Sequence, residues 1–364
     1  MTTKNLSLAQ KLKISCFSRG ISLTTNAIDH LTCGGRIPLS IHEYATTGGV
    51  TMIVDNEIYV NAPLDEWFCT SPEAILDADE RSGDFIVRFR NETFPARTIK
   101  LPFYLNEKDS KGRLVSDTVM SHADRARISP ILGCSFGCEF CDYIGKKYIR
   151  RPLDQILEGV GIAIKDTNLP AKHVMISGGT PSPRDQGYIE EVYEQVIRQI
   201  NLPVDVMFMP RSVGIIERLV GWGVYGFSIN LEVYNTDYAQ KIVPQKYRLG
   251  RKLFTTCIEE ALARTGGNGR VRSLLLVGIE PVEETLKGVE FLASIGCDPV
   301  LSPFRPAKGT PLQTLRPPSS DILEKVYLEC LDITERYGVK LGPRCIPCQH
   351  NTLTFPDRSG YYFS

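Results

Sequence analysis

The chain reads as an α/β protein: a curved parallel sheet forming a partial (βα)6, TIM-like barrel, preceded by a small α+β domain. Three observations lead there. From about residue 125, short runs rich in Val, Ile and Leu alternate six times with stretches of helical spacing, the pattern of successive right-handed βαβ units. Residues 1–120 lack that alternation and hold strand-like runs instead. Three cysteines, Cys134, Cys138 and Cys141, follow the first strand of the series, and β/α barrels keep their chemistry at the C-terminal ends of their strands.

The elements follow in order. Residues 6–32 read as helical. "GGVTMIVDNEIYVNAP" (48–63) is two β-rich runs around "DNE", which predicts a hairpin. "DFIVRFRNETFPARTIKLPFYL" (84–105) alternates apolar and polar residues and predicts strands. "NEKDSKGRL" (106–114) is polar and reads as a flexible exposed loop near a domain boundary. The barrel strands are expected in 127–133, 172–179, 203–210, 224–232, 270–280 and 297–306. The helices are expected in 152–167, 187–200, 214–223, 249–266, 282–296 and 320–338. This divides the chain into an N-terminal domain (1–120), a barrel (121–340) and a tail (341–364).

Composition bounds the function. Lysine plus arginine equals aspartate plus glutamate, 42 each, so no global charge drives the chain toward nucleic acid or a membrane surface. No apolar run is long enough to span a bilayer, and "MTTKNLSLAQKLKIS" lacks the apolar core of a secretory signal. The expected address is cytoplasmic. There the close spacings among the 11 cysteines favour metal or redox chemistry over disulfides. Cys16, Cys33, Cys69, Cys257, Cys297 and Cys330 stand alone and read as small buried apolar residues.

"GCSFGCEFC" spaces its cysteines as Cys-x3-Cys-x2-Cys. Three thiolates suit three irons of a [4Fe–4S] cluster and leave the fourth iron open, whereas such clusters ordinarily take four cysteines. The alternative is zinc with a distant fourth ligand such as His122, although zinc sites usually come as two close pairs.

This spacing, placed after the first strand of a (βα)6 series, resembles the radical S-adenosylmethionine (radical SAM) enzymes. The resemblance implies that Cys134, Cys138 and Cys141 hold a [4Fe–4S] cluster whose open iron chelates S-adenosylmethionine. It implies reductive cleavage to methionine and a 5′-deoxyadenosyl radical that abstracts a substrate hydrogen. Phe140 matches the aromatic position near the adenine. "ISGGTPSP", with Gly178, Gly179, Thr180 and Pro181, matches the element that holds the methionine amine, with threonine where glutamate is frequent. Asn230 and Glu232 alternate with apolar residues in "SINLEVYN" and so share one face of a strand. They match polar positions that bond the ribose and the methionine end. Gly278 and Glu280 match an element near the adenosyl group, and residues near Leu301 to Pro303 match its adenine contacts.

"NLEVYNTDYAQKIVPQKYRLGRK" and "SPFRPAKGTPLQ" look like the biotin synthase subgroup. Arg251 (or Arg248) is then the candidate for the cofactor carboxylate. The resemblance spans roughly residues 125–345. It implies an electron donor such as a flavodoxin or ferredoxin and a small-molecule, peptide or carrier-bound substrate. Neither nucleic acid nor membrane is expected as a partner.

A second pair, Cys345 and Cys348, lies in "GPRCIPCQHNTLTFP" beside His350. It reads as a metal site: a second Fe–S cluster, which would favour sulfur insertion by a sulfurtransferase, or zinc. Cys33, Cys257 and Cys297 are candidate remote ligands. A thiol pair without metal is the alternative. Rearrangement, fragmentation or peptide modification are the other radical reactions compatible with such a barrel, and a zinc-binding scaffold is the non-enzymatic alternative.

Overall fold

Ser7 starts the first helix of the computed structural model, which describes residues 5–31, 49–79 and 84–364. Its hydroxyl accepts the Gln10 N–H at 3.2 Å, and the Gln10 side chain accepts the Ser7 N–H at 2.9 Å, a capping box. The helix α1 (Leu8–Arg19) ends at Gly20, whose φ is +73°. The expected helix over 6–32 is therefore broken: strand β1 (Ile21–Leu23) and helix α2 (Thr25–Leu31) follow the turn.

Strands β2 (Gly49–Val54) and β3 (Ile58–Pro63) form the expected hairpin. Asp55 and Asn56 carry its turn at φ +53° and +63°, the left-handed conformation these residue types tolerate. Strands β4 (Ala74–Ala78), β5 (Phe85–Phe89) and β6 (Glu92–Thr98) complete a six-stranded sheet in the order β1-β4-β5-β6-β2-β3. Residues 106–114 are not a loose loop. Asp109 accepts the N–H groups of Lys111 and Arg113 and pairs with the Arg113 guanidinium at 2.6 Å, and Arg113 also grips Asp154.

The second sheet begins with an element the sequence did not announce. Strand β7 (Val119–His122) runs antiparallel to β8 (Arg125–Ile128), the first barrel strand. A short ribbon of β9 (Ile131–Leu132) and β10 (Ile149–Arg150) clasps the base of the cysteine loop. Then come α3 (Leu153–Ile164), β11 (His173–Ile176), α4 (Gln186–Gln199), β12 (Val204–Met207), α5 (Gly214–Trp222) and β13 (Gly226–Ser228). Two short helices, α6 (Thr236–Ile242) and α7 (Pro244–Leu249), precede α8 (Arg251–Thr265). The series closes with β14 (Val271–Val277), α9 (Val282–Ser294), β15 (Asp298–Pro303) and α10 (Ser320–Tyr337). Six strands pair in parallel in the order β15-β14-β13-β12-β11-β8, with β7 on the outer edge. The fold is a partial (βα)6 barrel with an α+β N-terminal part.

The open side of this half-barrel is covered. Thr51 of β2 meets His122 of β7 at 3.0 Å, and Arg305, just past β15, donates to the Asn61 carbonyl of β3 at 2.6 Å. Between them Asn351 of the tail bonds Asn61 at 3.1 Å, and the Leu353 N–H reaches the Leu301 carbonyl. Among the described residues no helix is long and apolar enough to cross a membrane.

One buried cation joins the two ends of the chain. Lys13 on α1 is fully buried and donates to the Gln349 and Thr354 carbonyls, both at 2.8 Å. Burial, with Arg305 adding to it, holds its amine well below the ordinary 10.5. A neutral amine has two hydrogens, and both carbonyls are served. Below pH 10.5 the unfolded lysine binds a proton that the folded one rejects, so this contribution to stability grows with rising pH. It is lost as pH falls through the lowered value. The Lys13→Met variant is expected to lose that alkaline slope and to be about 2 kcal/mol less stable, because two buried carbonyls lose their donor. Denaturant unfolding of both proteins across the alkaline range checks this; parallel pH profiles would count against it.

Candidate active site

The cysteine loop, residues 133–148, sits over the C-terminal ends of the strands. It is seated by glycine. A Cβ on Gly179 would lie 1.6 Å from the Gly133 carbonyl oxygen, so the two backbones are in direct contact. Gly133 and Gly178 adopt φ of +72° and +106°, which suits residues without a Cβ. Across this contact the Ser135 N–H donates to the Thr180 carbonyl at 3.0 Å, and the Thr180 N–H points to Cys134 Sγ at 3.1 Å. The Phe136 N–H lies 3.3 Å from the same sulfur. The far side of the loop rests on α6 and α7: Glu139 N–H to the Ile242 carbonyl at 2.9 Å, and Gly137 N–H to Gln245 Oε1 at 3.1 Å.

Cys134, Cys138 and Cys141 all face one cavity of ≈ 360 Å³ that runs down the inside of the sheet. Burial, with Glu232 nearby, pushes the Cys138 thiol well up, and burial pushes Cys141 up to about 12. As free thiols both stay protonated at neutral pH. Phe140 borders the same cavity and packs against a small apolar cluster around Phe304.

Of the other residues singled out in the sequence, Gly178, Gly179, Thr180, Pro181, Asn230 and Glu232 line this cavity. Asn230 and Glu232 both reach the cavity, but not as strand residues: β13 stops at Ser228, short of the expected 224–232, and Glu232 turns to φ +68°. Ser302 and Pro303 also line it. Arg251 does not. It is exposed, stacks 4.1 Å over the Tyr234 ring and bonds the Tyr234 carbonyl. Arg248 is likewise exposed on α7. Gly278 lies away from the cavity against Pro318, where a Cβ would come within 2.9 Å. Glu280 caps the neighbouring turn, accepting the Tyr234 and Asn235 N–H groups.

Two cations in the cavity escaped the sequence reading. Lys246, nine-tenths buried, pairs with Glu232 at 2.9 Å and donates to the Asn230 carbonyl at 3.0 Å. Arg211, after β12, donates to the Pro181 carbonyl at 2.8 Å. Glu232 Oε2 and Arg211 Nε are buried and have no hydrogen-bond partner among the described residues. Lys246 lies on a short helix, α7, where the sequence reading expected no element.

The second cysteine pair lies at the other end of the strands. Cys345 and Cys348 are buried beside His173, the first residue of β11, and Asp124, in the β7–β8 turn. His350, expected as their neighbour, instead stacks on His122 at 4.3 Å between ring centres. That also removes His122 from the triplet. Burial pulls His173 down, but the Cys348 thiolate and Asp124 outweigh it and leave it raised to about 9. Cys257 and Cys297 are buried on their own, contacting the Ser212 and Val271 carbonyls; Cys16 and Cys330 are buried and Cys69 half-buried. Cys33 lies outside the described residues.

A half-barrel with three thiols lining one cavity over its strand ends belongs to the β/α proteins whose candidate site is at the C-terminal ends of the strands. Comparison with known proteins narrows that class. Residues 128–300 match the family model of the radical SAM superfamily, and the chain carries a radical SAM domain. It is 25% identical over 227 residues to bacteriochlorophyllide c C-7(1)-hydroxylase of Chlorobaculum limnaeum, covering 55% of this chain and 56% of that protein. Among solved structures it is similar to a radical SAM methyltransferase from Sphaerobacter thermophilus, with 15% identity, TM-score 0.48, and 74% and 76% of the two chains covered. It is also similar to the [FeFe]-hydrogenase maturase HydG, with 15% identity, TM-score 0.44, and 57% and 49% covered. The chain thus spans about half the length of the hydroxylase and of that maturase.

The Gly133–Gly179 contact yields a prediction. Gly179→Ala has no space for its methyl group, so the loop that carries Cys134 must lift. Iron bound after anaerobic reconstitution is expected to fall at least tenfold, with far-ultraviolet circular dichroism unchanged. Full iron retention in this variant would show that the seat is dispensable.

Proposed function

We propose that the chain is a radical SAM enzyme. Cys134, Cys138 and Cys141 hold a [4Fe–4S] cluster, S-adenosylmethionine binds across the mouth of the cavity, and a hydrogen atom is taken from an organic substrate in the lumen. The observation that carries this reading is the convergence of three thiols on one cavity with Cys134 Sγ facing two backbone N–H groups. Such N–H groups stabilise a thiolate ligand. Three ligands leave one iron for the substrate-side group. When bound, the reduced cluster and S-adenosylmethionine supply methionine and a 5′-deoxyadenosyl radical.

The chain's own residues would bind and orient. Glu232 Oε2, buried and unpartnered, accepts a hydrogen bond from an ammonium or a ribose hydroxyl; Lys246 fixes its other oxygen and neutralises it. Arg211, with its free Nε, is the cation placed for a carboxylate, the role the sequence suggested for Arg251. Phe140 offers an apolar wall for a purine. Met175 and Met207 lie deeper in the lumen, where a substrate carbon would sit.

Hydrogen abstraction followed by transfer of a group other than sulfur, such as hydroxylation, is favoured over sulfur insertion. The related hydroxylase is named for a reaction at carbon, and Cys345 and Cys348 lie at the opposite end of the strands, too closely grouped with His173 and Asp124 for a sulfur-donating cluster at the mouth. An external one-electron donor of the flavodoxin or ferredoxin kind is required.

Anaerobic reconstitution followed by dithionite and S-adenosylmethionine tests the reading. The protein is expected to turn brown, to bind roughly four irons at the triplet, and to form methionine and 5′-deoxyadenosine. Cys134→Ala should abolish both. A protein that stays colourless and cleaves nothing sinks the proposal. Within it, Glu232→Gln and Arg211→Met are each expected to weaken S-adenosylmethionine binding tenfold or more, about the cost of a lost charged hydrogen bond. Arg251→Ala should stay within about twofold of the parent, because an exposed arginine away from the cavity contributes little. Equilibrium binding to the reconstituted protein reads all three.

A further inference from the structure

Four potential ligand atoms meet at the end of the lumen opposite the triplet, where His173, Cys345 and Cys348 form part of its lining. They are Cys345 Sγ, Cys348 Sγ, His173 Nε2 and an Asp124 carboxylate oxygen, all within 4.8 Å of one another. His173 opens β11, while Gly178 follows that strand's other end, so roughly 17 Å of extended chain separates this group from the glycine seat. We propose that these residues form a closed, four-ligand site for a single zinc ion that fastens the C-terminal segment beneath the barrel.

The spacing supports one ion. Nε2 lies 3.3 Å from Cys348 Sγ, 3.8 Å from Cys345 Sγ and 3.4 Å from Asp124 Oδ1, and Cys345 Sγ lies 4.0 Å from the same oxygen. Ordinary zinc bond lengths at tetrahedral angles put ligand atoms about 3.3–3.8 Å apart. An Fe–S cluster spreads its terminal ligands over separate irons and needs a wider cage. Two thiolates, an imidazole and a carboxylate form a mixed donor set that suits zinc among the common cations.

The surroundings fit a dication. Cys345, Cys348 and His173 are 4%, 6% and 2% exposed, so their donor atoms have given up water and need a charge partner. With two thiolates and a carboxylate, the bound site carries one net negative charge. Arg125 lies above it, Nη1 being 3.6 Å from Cys348 Sγ. His173 Nδ1 has no partner among the described residues, so no acceptor competes to turn the ring, and Nε2 is the nitrogen that faces the other donors. Phe363 stacks on the ring at 4.2 Å and is itself packed against Tyr225 and Tyr361.

The ligands also explain the tail. Asp124 and His173 belong to the barrel; Cys345 and Cys348 belong to the segment after α10. The Ile346 N–H bonds the Tyr361 carbonyl at 2.9 Å, so fixing the cysteines fixes the last residues as well. With all four positions taken by protein, no open position remains for a substrate, which makes the role structural.

Metal analysis of the full-length protein, purified aerobically from zinc-containing medium, tests the site independently of the radical chemistry. Roughly one zinc per chain is expected. It should be retained in Cys134→Ala, which empties the triplet, and lost in Cys348→Ser and His173→Ala. Cobalt(II) exchanged into the unmutated protein should show the intense visible bands of tetrahedral thiolate coordination, a readout that survives if a variant fails to fold. Asp124→Asn should lower zinc affinity at least tenfold. A zinc-free protein that takes up no cobalt overturns the proposal, as does iron with sulfide at this site or zinc lost together with Cys134.

Discussion

Six parallel strands curl but do not close, and most of the remaining structure answers that fact. A full β/α barrel needs eight strands to seal its own interior. Here the inner face of the sheet would stay open between β8 and β15, and two edges would offer unpaired backbone groups. β7 pairs with one edge antiparallel. The tail lies along the other, with a Val300–Gly342 bridge and the Leu353 N–H on Leu301. The β2–β3 hairpin spans the gap, touching His122 on one side and Arg305 on the other. The N-terminal sheet thus covers the open side of the half-barrel through contacts at its two edges.

That arrangement explains what the sequence could and could not disclose. The six β-α units were legible because each is local: a buried run of three to seven residues, then a helix. The cysteine triplet was legible because its three ligands lie within eight positions. Asn230 and Glu232 were legible as polar residues just past a strand, although the strand itself ends at Ser228 and its two-residue period does not extend to them. Arg251 misled because it follows the right elements in order, yet Gly250 at φ +83° starts a new helix and turns it to solvent. Lys246, on the short helix before that glycine, is the buried cation. The partners of Cys345 and Cys348 were illegible because no local pattern marks them. His173 reads as one residue of a buried strand and Asp124 as a turn, and only the curl of the sheet brings either beneath the tail. His350 was adjacent in sequence and went elsewhere.

Buried charge in this molecule is handled by pairing. Arg272 meets Asp205 at 2.6 Å on the inner face, and Arg344 grips Asp298 at 2.7 and 3.1 Å below it. Breaking such a pair leaves a charge without water or partner, at a cost of about 3–5 kcal/mol, so these residues hold the floor in one arrangement. Lys13 follows a different rule: with no carboxylate paired to it among the described residues, its amine is pushed toward the neutral form and bonded to two carbonyls.

Against that background the incomplete pairs stand out by position. Glu232 spends one oxygen on Lys246 and leaves the other bare; Arg211 spends one nitrogen on Pro181 and leaves Nε bare. Both follow the C-terminal ends of neighbouring strands and border the cavity that the three cysteines border. A buried polar atom without a partner costs about 1–3 kcal/mol, a strain worth keeping where a ligand relieves it. An acceptor and a cationic donor left unsatisfied on one cavity complement a ligand with an ammonium or hydroxyl at one point and a carboxylate at another. Asp205, farther down the lumen, also leaves Oδ1 bare while its other oxygen holds Arg272. A lumen with unsatisfied polar atoms at more than one level is complementary to an extended polar ligand that relieves them when it binds.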